Sequence, residues 1–85
     1  MDFMLSRHAE LEMKRRGIPL VLVENVLASP EQVVAEPGGI KVYQSQHNFS
    51  GRIFLVRVVV DDQVVPGTVV TVYRTSKISK YWRKP

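Results

Sequence analysis

The sequence predicts an α+β domain: an N-terminal helical hairpin packed on one face of a three- or four-stranded antiparallel sheet. Three observations carry this expectation. Apolar residues recur at helical spacing up to about residue 28. From residue 31 the period falls to two, as in strands with one buried face. Glycine and proline fall between the segments, at Gly17, Pro37-Gly38-Gly39 and Pro66-Gly67.

The first helix is expected over about residues 6–16. Ser6 is a good N-cap, because its hydroxyl can accept from a free backbone N–H one turn on. Leu5, Ala9 and Met13 form an apolar stripe, and Gly17 supplies a left-handed stop. A second helix is expected over 19–28, with Pro19 in its first turn and Val23, Val26 and Leu27 on its buried face. Ser29-Pro30 ends it, since the residue before proline avoids the α region. Strands are expected over about 32–36, 40–46, 52–61 and 68–75, in a meander, with a polar loop at 47–51 and a basic tail over 76–85.

Length and composition bound the function. The 85 residues make one domain, 1–85, near the lower limit of a self-supporting core. No cysteine is available for a disulfide or a thiolate site. His8 and His47 have no ligand-spaced partner, so no metal and no other cofactor is expected. With no signal-peptide pattern at the start and no membrane-length apolar run, the expected location is cytoplasmic, away from membranes. Net charge is +4, unevenly spread: Asp62 is the last acidic residue. After it come Arg74, Lys77, Lys80, Arg83 and Lys84, interleaved with Tyr73, Tyr81 and Trp82. Cations with aromatics suit nucleic-acid binding. The competing reading is a solvated tail that only aids solubility.

Strand parity sorts the remaining candidates. A helix-covered face is expected to hold Ile40, Val42, Phe54, Val56, Val58, Val70 and Val72. The opposite face would display Lys41, Tyr43, Arg57, Thr71 and Tyr73, unless a β-bulge shifts a strand. Arg57 interrupts an apolar run with no acid expected beside it, which favours a phosphate partner over an ordinary solvated face. His8 begins the first helix. A surface or packing role competes there with proton transfer. Glu12, one turn from Arg16, is expected to pair with it.

These residues also carry a resemblance. Ser6-Arg7-His8-Ala9, Met13 and Arg16-Gly17-Ile18 are similar to the N-terminal motif of the domain-of-unknown-function 4258 family of bacteria and archaea. Ser29-Pro30-Glu31, Lys41-Val42-Tyr43, Arg57-Val58-Val59-Val60-Asp61, Thr71-Val72-Tyr73-Arg74-Thr75 and the run Ser76–Trp82 continue it. That family resembles the RelE-like and wider barnase-like ribonuclease toxins in its order of elements. The resemblance implies the toxin of a type II toxin–antitoxin pair, a hydrolase acting as an endoribonuclease on mRNA, ribosome-associated mRNA included. It also implies a cognate antitoxin, for which the domain-of-unknown-function 2283 family is a frequent neighbour.

Metal-free RNA cleavage needs a base for the 2′-hydroxyl, cations for the phosphorane and an acid for the leaving oxygen. The catalytic candidates are His8 for proton transfer, Lys41 and Arg57 as phosphate clamps, and Tyr73 as stacker or proton donor. Arg16, Tyr43, Thr71, Arg74, Lys77 and Lys80 are the RNA-binding candidates. The alternative is a non-catalytic module that binds RNA or protein on the same face.

Overall fold

The computed structural model describes residues 3–84. The element order is β1 (Phe3–Leu5), α1 (Arg7–Arg16), α2 (Leu20–Ala28), β2 (Gln32–Ala35), β3 (Ile40–Phe49), β4 (Arg52–Asp61), β5 (Gly67–Thr75) and α3 (Ile78–Tyr81). A 3₁₀ turn at Pro37–Gly39 joins β2 to β3.

Local chemistry sets the helical hairpin. The Ala9 N–H donates to Ser6 Oγ at 3.0 Å, the cap expected from sequence. The same hydroxyl donates to the Val70 carbonyl at 2.9 Å and so ties the start of α1 to β5. Gly17 closes α1 at φ 64°, ψ 40°, a conformation that costs a residue with a Cβ about 1–2 kcal/mol. Ile18 N–H then donates to the Met13 carbonyl, turning the chain into α2.

The sheet has five strands in the order β1-β5-β4-β3-β2, and it is mixed. The expected three- or four-stranded antiparallel sheet is corrected on both counts. β1 pairs parallel with the start of β5, Leu5 against Val69, while every other pair is antiparallel. Three residues are too few to show a strand period, which is why β1 was not visible in the sequence. The expected loop at 47–51 is also corrected. β3 runs on to Phe49, and Ser50-Gly51, both at positive φ, make a two-residue turn into Arg52.

The main core lies between the helices and one sheet face. Ala9, Met13, Ile18, Leu22, Val23, Val26 and Leu27 pack on Tyr43, Val56, Val58, Val60, Val69 and Val72. Parity in β3 is therefore the reverse of the expectation. Tyr43, opposite Val58, faces the helices, and Val42, opposite Val59, faces away. The larger apolar surface of the tyrosine takes the interior, where its ring meets Phe3 edge-on at 5.9 Å. In β5 a bulge falls opposite Val59/Val60. It turns Val69 inward and leaves Val70, expected in the core, 38% exposed.

The second face is also covered. Val34, Val42 and Leu55 are buried there, and Tyr81 and Arg83 are bonded to Gln44 and Gln32 of the same sheet. No helix among the described residues is long and apolar enough to cross a membrane.

Candidate functional site

Arg57 sits on the middle strand, on the face away from the hairpin, and is only 5% exposed. Its Nε donates to Gln44 Oε1 at 2.8 Å and its Nη1 to the Tyr73 hydroxyl at 2.5 Å. Both partners follow from register, because Gln44 and Tyr73 are the residues opposite Arg57 on its two neighbours. Glu36 Oε1 lies 3.9 Å from Nη2. An acid therefore does stand near Arg57, contrary to the sequence reading. It arrives from the end of β2, an element whose register parity alone does not give.

A tyrosine from the C-terminal segment closes the site. The Arg57 guanidinium stacks 4.3 Å from the Tyr81 ring, and Tyr73 meets Tyr81 edge-on at 6.3 Å. Gln44 Nε2 donates to the Tyr81 carbonyl and to Gln32 Oε1. Gln32 Nε2 donates to the Arg83 carbonyl at 2.6 Å, and the Arg83 N–H donates back to Gln32 Oε1 at 3.1 Å. The segment over 77–84 is thus strapped from the end of β5 to the edge strand β2. Described from Ser76 to Lys84, the predicted tail is not a loose appendage. Pro85 lies outside the described residues. Lys77, Lys80, Arg83 and Lys84 are exposed along the strap. The sequence reading names Tyr81 only as an aromatic among the C-terminal cations and gives Gln32 and Gln44 no role. The signal for Gln44 was present: a long polar side chain two residues from Val42, opposite an arginine.

Of the predicted residues, Arg57, Tyr73 and Thr71 share this face, with Lys77 and Lys80 on the strap beside it. The others lie elsewhere. Lys41, opposite Val60, is on the helix side, and its Nζ pairs with Asp62 at 2.7 Å. That carboxylate raises the Lys41 pKa above the usual lysine value. Lys41 and Arg57 therefore do not share a face, which corrects the proposed clamp. Tyr43 is buried in the main core, where no base can stack on it. Arg16 is held by Glu12, at 3.1 Å, as expected. The Arg16 hydrogen bonds, aided by Arg15, hold the Glu12 carboxyl below its ordinary value. His8 is exposed in the first turn of α1, on the helix side, with no hydrogen bond to another predicted site residue among the described ones. Arg74 also points to the helix side, its guanidinium 4.3 Å from the Phe49 ring.

The family model described as Domain of unknown function (DUF4258) matches residues 5–74. The chain belongs to the DUF4258 family. Arg57, Gln44, Gln32 and Tyr73 all fall inside the matched span, whereas the strap and Tyr81 lie beyond it. Comparison of this DUF4258 chain with curated proteins and with solved structures returned no significant match.

Proposed function

We propose that this DUF4258 domain acts on RNA, as a metal-free endoribonuclease toxin of a type II toxin–antitoxin pair. The observation that carries the reading is the docked strap. It holds four exposed cations in a fixed place beside the Arg57–Tyr73 pair, an arrangement that a merely solubilising tail does not require.

On this reading the strap lysines and arginines hold the phosphodiester backbone. Arg57, already engaged by Gln44 and Tyr81, acts as a positioning residue rather than a clamp. It donates to the lone pairs of the Tyr73 oxygen, which leaves the Tyr73 O–H free to donate outward to the leaving 5′ oxygen. The attacking group is the substrate's own 2′-hydroxyl, which loses its proton to solvent water as its oxygen bonds to phosphorus and the 5′ oxygen leaves with the Tyr73 proton; RelE-like action on ribosome-bound mRNA is one form of the proposal. His8 has no place in this constellation. A cognate antitoxin would cover the strap face.

The non-catalytic reading has its own observation: Arg57 and Tyr73 have no imidazole beside them among the described residues, and the nearby Glu36 carboxylate faces the Arg57 guanidinium at 3.9 Å. Incubation of purified protein with end-labelled RNA in a chelator, with and without ribosomes, separates the two. Cleavage supports the nuclease; a gel shift of intact RNA supports the binding module. Growth inhibition on expression, relieved by the neighbouring gene, tests the toxin role.

A further inference from the structure

The β3–β4 hairpin is longer than its neighbours. β5 stops pairing at Leu55–Thr75 and β2 at Gln44–Gln32, so residues 46–49 and 52–54 form a two-stranded arm that pairs with neither. One face of the arm carries His47, Phe49, Arg52 and Phe54, with Arg74 at its base, on the helix side of the sheet. It is therefore a different surface from the strap.

The side chains form one ladder. The Arg52 guanidinium lies 5.2 Å from the centre of the Phe54 ring, and that of Arg74 lies 4.9 Å from the same ring and 4.3 Å from Phe49. Phe49 and Phe54 meet edge-on at 5.6 Å, and His47 meets Phe49 at 4.9 Å. Two guanidiniums thus share one phenyl ring, and neither makes an ion pair among the described residues. The Glu31 carboxylate, near the base of the arm in sequence register, accepts from the Gln46 backbone N–H. Holding like charges together without a counter-ion costs free energy that a bound anion recovers. Guanidiniums held over phenyl rings, with an exposed imidazole edge-on to Phe49, also offer planar groups on which unpaired bases can stack.

We propose that the arm is a binding site for single-stranded RNA, with Arg52 and Arg74 on successive phosphates and His47 at the rim against a base. The proposal rests on the reading that the protein acts on RNA and adds a second contact surface to it. From sequence, Arg74 is an RNA-binding candidate and Phe54 belongs to the helix-covered face, whereas His47 falls in the expected loop at 47–51 and Arg52 and Phe49 carry no role.

The test is fluorescence anisotropy of a labelled single-stranded oligoribonucleotide, and of the same strand in duplex, across a salt series. Arg52→Gln with Arg74→Gln should weaken single-strand binding and reduce the log–log salt slope by about 1.4, the value for two phosphates. Arg52→Lys with Arg74→Lys should keep the slope but narrow the preference for single strand over duplex, because lysine does not stack. Arg52→Gln alone, at an exposed strand start where folding is not at stake, should reduce the slope by about 0.7. Unchanged affinity and slope in the arm variants, with loss only in Lys77→Gln/Lys80→Gln, would overturn the arm and leave the strap reading standing. Wild-type protein that binds neither RNA would overturn both. Arm-dependent binding without cleavage would sustain the arm and overturn the nuclease.

Discussion

Across the β4–β5 pair, the Arg57 guanidinium donates to the Tyr73 hydroxyl at 2.5 Å, and both side chains meet the ring of Tyr81. This contact joins the sheet to the C-terminal segment and organises the face proposed to act on RNA. Removing the hydroxyl leaves a charged donor under-satisfied in a buried place. Tyr73→Phe should therefore cost about 1.5–3 kcal/mol of stability, read from urea denaturation. Arg57→Lys should also destabilise, since an ammonium cannot serve Gln44 and Tyr73 and still stack on Tyr81.

The strap is held by one stacked ring and by side-chain bonds from Gln32 and Gln44. Tyr81→Ser should release it without unfolding the main core, which lies on the other face. Tryptic cleavage after Lys77 and Lys80 should accelerate several-fold while the β4 amides keep their exchange protection. Equal resistance in variant and wild type would mean that the ring does not hold the segment.

Ser6 serves two elements, capping α1 and bonding to the bulged edge of β5. Ser6→Ala should lower stability by about 0.5–2 kcal/mol, the range for losing a cap, measured by thermal or urea unfolding.

Glu12 gives a pH test with a definite sign. The Arg16 and Arg15 guanidiniums lower its pKa in the folded state, so the stabilisation is present above the unfolded carboxylate value. It fades as pH falls through the lowered folded value. An NMR titration should find the Glu12 midpoint below that of a free glutamate, and Arg16→Ala should move it back up. Lys41 behaves in the opposite sense. Its pair with Asp62 is intact below the unfolded lysine value and is lost only as pH rises through the raised folded one.

Much of this fold was legible in the sequence, for local reasons. Ser6, Gly17 and Ser29-Pro30 bound their helices through short-range chemistry, and β4 announced itself by its valine content. What failed was non-local. Whether Val42 or Tyr43 turns inward depends on how β3 meets the helices, and both choices satisfy alternation. The bulge at Val69–Val70 moved Val70 out of the core, and β1 is too short to be read. The site was legible as residue types: Arg57, Tyr73, Lys77 and Lys80 do gather. Its closure by Tyr81 and Gln44 was not, because a four-residue helix has no periodic signature. His8 was singled out for its chemistry alone. His8→Gln should leave RNA cleavage within a few-fold of wild type, measured under single-turnover conditions.

The central claim, that the strap face acts on RNA, is tested most directly by single-turnover cleavage of end-labelled single-stranded RNA in a chelator, comparing wild type with Tyr73→Phe. The account predicts cleavage by the wild type and a loss of about 10²–10⁴-fold in the variant, with RNA affinity retained. Wild-type protein that neither cleaves nor binds the RNA, with or without ribosomes, would contradict it.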